Sequence, residues 1–470
     1  MDRDDDRDDL SAQQARLLGE MLDVYPVARE LGERFEVAGH ELYMVGGSVR
    51  DTLLDQPVPD LDFATSARPE QTESILRAWT DTVWLIGARF GTVSARSGDH
   101  RVEVTTYRTD AYEAGSRHPE VTYGDTIEGD LSRRDFTVNA MAVRVPQFRF
   151  VDPFGGLSDL KNKVLRTPVA PEQSFRDDPL RMVRLARFAA VLNARPEPAT
   201  ELAATQLADE LTTVSAERIA EELSKLLVAS HPAEGLDVLV RTGLAGQFLP
   251  ELTALRDLQD PEHRHKDVYR HTLAVVERCA PDLVLRLAAL LHDVAKPATR
   301  RIHPDGTVTF HHHEVRGARM ARERLNALKF DKRTTADVAE LVHMHLRFHT
   351  YRMGWTDSAV RRYVRDAGHL LDELNALTRA DCTTRDRRKA EQLASRMDEL
   401  EERIADLRQR EELDSLRPAL DGNAIMVHLG IPAGPDVGKA WRHLLELRIE
   451  QGPMTEDDAK AALDAWWAGQ

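Results

Sequence analysis

Two neighbouring stretches decide the fold: MVGGSVRDTLLD (residues 44–55) and PDLDFAT (residues 59–65). The first stretch reads as the end of a strand, a Gly46-Gly47 turn and the start of a helix. Glycines at such a turn let backbone amides approach a ligand closely, and the helix N-terminus that follows favours an anion. Arg50 lies one turn into this helix, so we expect it to reach the same anion.

The second stretch carries paired carboxylates. Residues i and i+2 of a strand point to the same face, so Asp60 and Asp62 are expected about 7 Å apart while Leu61 and Phe63 face the core. Two like charges this close repel each other unless a cation lies between them, and Mg²⁺ prefers such oxygen ligands. An exposed loop that binds nothing is the alternative, but the glycine turn, which twelve residues separate from Asp60, favours a metal site.

Short β-rich runs continue around these stretches, from Glu41 to about Val151, and one helix-like run (71–80) interrupts them. After Gly156 most of the chain has helical periodicity, apart from a hairpin-like segment with an Asp-Gly turn (302–310). The pattern predicts an α+β protein with a mixed-sheet head and a long helical body. The other β-rich runs are TVWLIG (82–87), GTVSAR (91–96), VEVTTYR (102–108), FTVNAMAVRV (136–145) and FRFVD (148–152).

Two further segments have the apolar spacing of helices. The first runs from Gln13 to about Val37, behind an acidic tail over residues 1–10. The second is a heptad-like stripe near the C-terminus, and we interpret it as a helix that packs on a neighbouring helix. The stripe consists of Leu393, Met397, Leu400, Ile404 and Leu407.

The composition restricts the class of protein. A chain of 470 residues suggests about three domains at roughly 150 residues each. The net charge of −16 argues against a generally basic nucleic-acid binder but allows a local basic groove. Two cysteines, a charged N-terminus and the lack of a long apolar run predict a cytoplasmic protein without a membrane segment.

The Gly46-Gly47 turn followed by Asp60 and Asp62 resembles the signature of the nucleotidyltransferase superfamily that includes DNA polymerase β. Three more stretches are similar to class II tRNA nucleotidyltransferases (CCA-adding enzymes) and to bacterial poly(A) polymerases, over roughly residues 40–260. The stretches are VEVTTYR (102–108), DLSRRDFTVNAMA (130–142) and DDPLRMVRLARFAA (177–190). The resemblance implies a polymerase β-like head, a helical neck, an HD-type helical body and a helical tail.

The resemblance also implies the roles of residues in the head. Asp60, Asp62 and Glu103 match the catalytic carboxylates, of which Asp60 and Asp62 hold Mg²⁺. The implied substrates are CTP, ATP and the 3′ end of a tRNA, with pyrophosphate as the leaving group. The remaining matches are nucleotide-binding: Gly46, Gly47, Arg50 and Arg134 for the triphosphate, and Asp135 and Asn139 for the ribose or for support of the site.

A basic helix follows the head. Residues 161–190 hold seven Lys or Arg against three Asp or Glu, which is the footprint expected for phosphates. The spacing by three places four side chains near one helix face, where a carboxylate and a guanidinium together can bond a base edge. Ordinary salt bridges on a solvated face are the alternative. The four residues are Asp178, Arg181, Arg184 and Arg187, and the resemblance implies base selection by this helix.

A second constellation lies in the helical body. A His, then a His-Asp pair, then a late Asp follow the order of the HD superfamily of metal-dependent phosphohydrolases, which this segment resembles. Imidazole and carboxylate ligands suit Mn, Ni, Fe, Zn or Mg. A buried group that only holds helices together is the alternative. The candidate ligands are His271, His292, Asp293, His313 and Asp381.

The predicted domain organisation has five parts. Within the tail, the segment Gly422–Ala440 is interpreted as a turn between helices. The parts are residues 1–37 (acidic tail and leading helix), 38–165 (catalytic head), 166–258 (helical neck), 259–388 (HD-type domain) and 389–470 (helical tail).

Several functions stay open at this level. The loop DAYEAGSRHPE (110–120) departs from the family pattern, so CC-only or A-only addition are alternatives to full CCA addition. A poly(A) polymerase is less favoured because the chain ends in DDAKAALDAWWAGQ (457–470) rather than in a basic tail. An HD phosphohydrolase with a relict nucleotide-binding head and a non-catalytic RNA-binding scaffold are the remaining alternatives. No obligate protein partner is evident.

Overall fold

The computed structural model describes two compact units, Met1–Phe248 and Leu249–Gln470. The predicted mixed-sheet head followed by helices is confirmed. Part of the predicted first helix and most of the 110–120 loop lie outside the described residues. The described residues are 16–20, 25–58, 60–85, 87–98, 100–110, 121–258, 267–305, 307–350, 355–382, 387–411 and 416–469.

The head is built on a seven-stranded mixed sheet with the order β3-β4-β5-β2-β1-β8-β9. The central strands β2 and β5 run parallel, and their neighbours run antiparallel. Alternating apolar residues turn one face of β2 inward, because Leu61 and Phe63 are each 1 % exposed. The strands are β1 (Leu42–Val45), β2 (Asp60–Thr65), β3 (Thr82–Trp84), β4 (Thr92–Ser97), β5 (His100–Thr106), β8 (Ala142–Val145) and β9 (Arg149–Val151), with a separate hairpin of β6 (Arg108–Asp110) and β7 (Val121–Tyr123).

Helices follow the sheet in the first unit. The strand β1, the glycine turn and the helix α2 (Gly47–Leu53) form the first strand–turn–helix motif. The helix α4 (Ile127–Ser132) packs on the sheet through Ile127 and Leu131. The helices are α1 (Pro26–Val37), α2 (Gly47–Leu53), α3 (Pro69–Arg77), α4 (Ile127–Ser132), α5 (Gly156–Asn162), α6 (Pro171–Asp177), α7 (Leu180–Leu192), α8 (Pro198–Gln206), α9 (Ala216–Leu227), α10 (Pro232–Arg241) and α11 (Leu244–Phe248).

The second unit is helical apart from a small hairpin of β12 (Arg301–Ile302) and β13 (Val308–Thr309), where the sequence predicts one. Side-chain caps explain where several helices begin: Asp267, Asp282 and Asp331 each accept a bond from a backbone amide of the first turn. The helices are α12 (Pro250–Arg256), α13 (Val268–Arg278), α14 (Leu283–Leu291), α15 (Lys296–Thr299), α16 (His313–Ala327), α17 (Lys332–Met344), α18 (Asp357–Ala367), α19 (Leu371–Asp381), α20 (Arg387–Glu411), α21 (Gly422–Leu429), α22 (Pro435–Gln451) and α23 (Glu456–Trp467).

The predicted heptad-like stripe lies on α20, and four of its five members are buried. They are exposed by 4 % at most, whereas Leu393 is half-buried. This burial agrees with a helix that packs its stripe on neighbours, and α20 contacts both α18 and α19. None of the helices in the described part of the chain combines the length and the apolar character needed to span a bilayer.

Two details differ from the prediction. Strand pairing does not stop at Gly156, since β10 (Val164–Leu165) and β11 (Arg195–Pro196) pair in parallel. The start of the run 136–145 forms a 3₁₀ turn (Thr137–Asn139), and the strand begins only at Ala142. Polar bonds explain the turn, because the Thr137 hydroxyl donates to Asp159 at 2.7 Å and the Asn139 amide group donates to Asp135.

Candidate functional site

The glycine turn is required by its conformation and by its neighbours. Gly46 has φ +68° as the N-cap of α2, which is a backbone region that side chains disfavour. A Cβ at this residue would also lie 2.7 Å from Nη1 of Arg134. The turn therefore allows the Arg134 guanidinium to lie directly against the backbone, whereas Gly47 is less crowded.

The predicted carboxylates lie on two paired strands, Asp60 and Asp62 at the start of β2 and Glu103 on β5. The parallel register places Asp62 opposite Glu103 of β5, and the Ser48 hydroxyl fixes the strand by bonding the Asp60 carbonyl and the Asp62 amide. Partial withdrawal from water, together with the charges of Glu103 and Asp60, raises the pKa of Asp62 to about 6. A divalent cation would relieve this repulsion, so the donor set fits Mg²⁺.

The three carboxylates are not tightly clustered. In the described residues, the groups with ligand atoms all within 4.8 Å of one another lie in the second unit. The carboxylate of Glu103 instead accepts a bond from Arg101 at 2.8 Å. Asp60 and Asp62 point the same way from β2, as predicted, because both are exposed on either side of buried Leu61.

A cavity of about 820 Å³ is lined by Asp62 and Glu103, but not by Asp60, and all ten predicted nucleotide-binding residues line it. Its wall is basic although the whole chain is acidic: nine cationic side chains face five carboxylates. Such a wall suits a polyphosphate. The cations are Arg50, Arg108, Arg133, Arg134, Arg181, Arg184, Arg187, Arg218 and Lys225.

Arg50 is bound to protein groups and does not project freely into the cavity. It donates to both carboxylate oxygens of Asp51 at 2.8 Å and to Oδ1 of Asn139 at 2.5 Å. Its Cζ also lies 5.2 Å from the centre of the Phe188 ring. Arg134 is better placed to bind an anion in the cavity. Its guanidinium pairs with Asp130 at 3.1 Å and lies against the glycine turn.

Asp135 is buried and serves as a hub of polar contacts. It accepts bonds from Asn139, from the Phe136 amide and from the guanidinium of Arg184. Burial alone would raise the pKa of Asp135, but Arg184 and these donors outweigh it and lower the pKa to about 2. Asp135 and Asn139 thus hold Arg184 and Arg50 in place.

The predicted base-selecting residues lie around the start of α7. The prediction placed Asp178 on the helix with the three arginines. This placement is wrong, because α7 begins only at Leu180. The carboxylate of Asp178 accepts from Arg218 of α9 at 3.2 Å. Arg181 donates to Oγ of Ser174 at 2.8 Å and to the Arg133 carbonyl at 2.5 Å.

Glu222 of α9 belongs to this group, and the sequence analysis missed it. Its carboxylate lies 3.6 Å from Arg184 and 3.0 Å from Arg187, and the residue is 4 % exposed. Burial and the nearby charges of Arg184 and Arg50, only partly offset by Glu222, lower the pKa of Arg187 to about 10. The glutamate lies 35 residues beyond Arg187, so no local spacing connects the two.

A second cluster in the second unit contains all five predicted HD residues. Nε2 of His271 lies 2.8 Å from Asp381, and Nε2 of His292 lies 3.2 Å from Asp293. Nε2 of His313 lies 3.4 Å from the other oxygen of Asp293. Two sets of three residues have their ligand atoms within 4.8 Å of one another: His271, His292 and Asp293, and Asp293, His313 and His345.

The histidine rings are oriented as in metal centres. Nδ1 of His292, His313 and His345 each lies within 2.8 Å of a backbone carbonyl, which turns the other nitrogen inward. Nε2 of His292 is buried without a hydrogen-bond partner. This orphaned nitrogen and the carboxylates of Asp293 and Asp381 fit a divalent cation.

His345 belongs to this cluster, although the sequence analysis did not include it. It is 1 % exposed, and its Nε2 lies 3.2 Å from that of His313. Burial, with the charge of His292, lowers the pKa of His345 to about 3 and keeps the ring neutral, as a ligand must be. The sequence signal that could have identified it is the pair of histidines at His343 and His345, of which only His345 is buried.

The fold and the two clusters define a nucleotidyltransferase head followed by an HD domain. Three family models match in that order: "Poly A polymerase head domain" at residues 42–166, "Probable RNA and SrmB- binding site of polymerase A" at 195–255 and "HD domain" at 268–407. The A-adding tRNA nucleotidyltransferase of Deinococcus radiodurans is 34% identical over 437 residues, which cover 90% of this chain and 95% of the relative. The chain belongs to the tRNA nucleotidyltransferase (CCA-adding enzyme) family.

Two more proteins of known activity or structure are similar to this chain over nearly its whole length. The CC-adding tRNA nucleotidyltransferase of Thermus thermophilus is 33% identical over 92% of this chain and 94% of its own length. The solved structure of the Bacillus stearothermophilus CCA-adding enzyme in complex with CTP has a TM-score of 0.72 and 25% identity, covering 95% of this chain and 98% of that one. Relatives named for A addition and for CC addition thus both resemble this chain over nearly its whole length.

Proposed function

We propose that this protein is a template-independent RNA nucleotidyltransferase that builds or repairs the 3′-terminal CCA of tRNA from CTP and ATP. The observation that carries the proposal is the basic cavity lined by Asp62 and Glu103, in a chain of this family. Glu103 is the third catalytic carboxylate of the proposal. Mg²⁺ bound by Asp60 and Asp62 would supply charge neutralisation at the reacting phosphate and a more acidic 3′-hydroxyl.

In the proposed reaction, the 3′-oxygen of the RNA forms a bond to the α-phosphorus and the α–β phosphoanhydride bond breaks. The hydroxyl proton is lost, and pyrophosphate leaves in line with the attack. The chain contributes mainly position and charge. Arg134 binds the triphosphate, Asp178 and Arg181 read the base edge, and Asp135 and Asn139 support the arginines; Gly46 and Gly47 leave room for the phosphates.

The test uses three tRNA transcripts, which lack CCA or end in C or in CC. Each is incubated with Mg²⁺ and with labelled CTP and ATP, singly and together, and products are sized at single-nucleotide resolution. Addition that stops at CCA is expected. No incorporation into any transcript contradicts the proposal, and long A tails would indicate a poly(A) polymerase.

A split activity is the second candidate, because full-length relatives carry names for A addition, CC addition and CCA addition. The loop at 110–120, whose sequence departs from the family pattern, is the feature that favours a split activity, although most of this loop lies outside the described residues. Addition that stops after CC, or A addition to the CC-ended transcript alone, would assign one of the two partial activities.

We also propose that the cluster around Asp293 binds divalent metal and hydrolyses phosphoesters. Support comes from the orphaned Nε2 of His292 and from the inward-facing ligands, which suit Mn, Ni, Fe, Zn or Mg. Lys296, whose Nζ lies 2.6 Å from Asp293, is placed to meet a phosphate. Release of phosphate from small phosphoesters in the presence of each metal tests the activity, and its absence with every metal contradicts it.

The domain limits and the location stay predictions. We keep the head at 38–165, the neck at 166–258, the HD-type domain at 259–388 and the tail at 389–470. The HD match extends to residue 407, which includes most of α20. A cytoplasmic location is inferred from the low cysteine content.

A further inference from the structure

One aromatic ring lies among three of the cavity's guanidinium groups. Phe188 on α7 is 4 % exposed and lines the cavity. Its ring centre is 5.2 Å from Cζ of Arg50, 5.6 Å from Cζ of Arg184 and 4.3 Å from Cζ of Arg187. Each distance is within the range in which a cation is attracted by the negative face of an aromatic ring.

The three arginines come from different parts of the first unit. Arg50 is on α2 of the head, next to the glycine turn, whereas Arg184 and Arg187 are on α7. Phe188 is four residues after Arg184, so the spacing of α7 brings these two side chains together. Arg187 precedes Phe188 in the chain, and its guanidinium reaches the ring by its own side-chain conformation. The ring therefore connects a head arginine with two arginines of the proposed base-selecting helix.

The arginines need such a contact because they repel one another. Asp51, Asp135 and Glu222 each pair with one of the three arginines, yet burial and the charges of Arg184 and Arg50 still lower the pKa of Arg187 to about 10. The ring adds electron density on both faces without adding a charge. It thereby restricts the directions of the guanidiniums without competing with an anion for their positive charge.

We propose that Phe188 is a positioning residue that holds Arg184 and Arg187 in the directions in which they meet the nucleotide. This inference rests on the proposed nucleotide addition and identifies a residue through which the cavity selects its substrate. The ring acts through the arginines and makes no bond to the reacting atoms. Loss of the ring is expected to raise KM for nucleotides while kcat at saturation changes little.

The experiment compares Phe188→Leu with Phe188→Tyr in the full chain. Leucine keeps much of the apolar volume but has no ring, whereas tyrosine keeps the ring and its hydroxyl can point into the cavity. Steady-state kinetics with CTP and ATP are measured on the transcripts that the wild-type protein extends. We expect kcat/KM to fall about tenfold for Phe188→Leu, which corresponds to about 1.4 kcal/mol, and rescue within about threefold by tyrosine.

Two further variants separate positioning from packing. Phe35→Leu makes the same change at a buried phenylalanine of α1 that does not line the cavity, and it should keep wild-type kinetics. A double-mutant cycle of Phe188→Leu with Arg187→Met tests the coupling directly. If Phe188 acts through Arg187, the combined loss is smaller than the product of the single losses.

The outcomes are distinct. Wild-type KM in Phe188→Leu, multiplicative losses in the cycle, or an equal loss in Phe35→Leu would overturn the inference. If wild-type protein extends no transcript, the proposed function fails, and equilibrium dialysis with CTP then decides the inference alone. Weaker CTP binding by Phe188→Leu than by Phe188→Tyr supports positioning, and equal binding contradicts it. Should the leucine variant not fold by circular dichroism, the tyrosine variant and Arg187→Met give the same comparison in CTP binding, where unchanged binding by Arg187→Met contradicts the inference.

Discussion

The carboxylate of Asp62 lies beside Asp60 on its own strand and opposite Glu103 on β5. Its raised pKa, about 6 against 3.8, means that the folded head binds this proton more tightly than the unfolded chain does. The contribution of this group to stability is therefore fully present below pH 3.8 and is lost as the pH rises through about 6. Above that pH the metal-free head carries unrelieved repulsion.

Asp62→Asn is therefore expected to stabilise the metal-free protein at pH 8 and to abolish nucleotide addition. The gain is on the order of 1 kcal/mol, because the side chain is open to solvent and its charge is screened. Melting temperatures of both proteins in chelator, at pH 4 and pH 8, measure it. The difference should shrink at pH 4 and on adding Mg²⁺ at pH 8. An equal difference at both pH values would exclude this cause.

His345 is tested at the same scale by metal content. His345→Asn removes an inward-facing ligand atom of the cluster around Asp293, so bound metal per chain should decrease after purification without chelator. His343→Asn is the matched control, since His343 is exposed in the last turn of α17, whose C-cap is His345, and the change should leave the metal content unchanged. Equal metal content in all three proteins would remove His345 from the site.

At the scale of elements, the helix α9 supplies the Glu222 carboxylate, which pairs with the charges of Arg184 and Arg187 on α7. Glu222→Gln leaves Arg187 without a carboxylate partner in a buried setting, and breaking such a pair costs about 3 kcal/mol. Urea unfolding followed by a signal from the first unit should show this loss. Glu201→Gln, which breaks an exposed pair between Glu201 and Arg241, should cost below about 1 kcal/mol. Similar losses in both variants would show that Glu222 is not a special partner.

Elements with a strict local pattern were predictable from the sequence. The period-2 alternation of β2 and the hairpin at 302–310 required no tertiary information, and the strand and the hairpin pairing are confirmed, while Gly306 of the predicted turn lies outside the described residues. The short parallel pair β10–β11 was missed because two-residue strands have no period. The helix assignment at Asp178 was wrong because Pro179 occupies the N-cap position and the chain enters the helix after it.

The site shows the same division between local and distant information. Motif spacing identified ten of the residues that line the cavity, but it missed Arg218 and Lys225 of α9 and the groups to which the arginines bind. Arg50 was expected to reach an anion, whereas Asp51 and Asn139 take its donors. Glu222 lies on a different helix from its partners Arg184 and Arg187. The sequence alone does not distinguish His345 from His343, whereas in the structure only His345 is buried. Such pairings depend on the packing of elements that are distant in the chain.

At the scale of the whole molecule, the two candidate sites lie in different compact units. The basic cavity uses residues of the first unit alone, and the histidine cluster uses residues of the second unit alone. Since additivity holds for sites without shared partners, changes in one site should leave the other intact. The head and the HD domain are therefore expected to be separable by single substitutions in the full chain.

Asp60→Asn should lose nucleotide addition by orders of magnitude because a metal ligand is removed, and it should retain wild-type metal content in the HD cluster. His292→Asn should show the reverse: lower metal content with unchanged addition to tRNA. Both variants are assayed for labelled nucleotide incorporation and for metal by mass spectrometry. Loss of addition in His292→Asn, in protein that melts like the wild type, would show that the histidine cluster supports the head. Two independent sites in one chain would then be excluded, and the HD cluster would belong to the addition reaction.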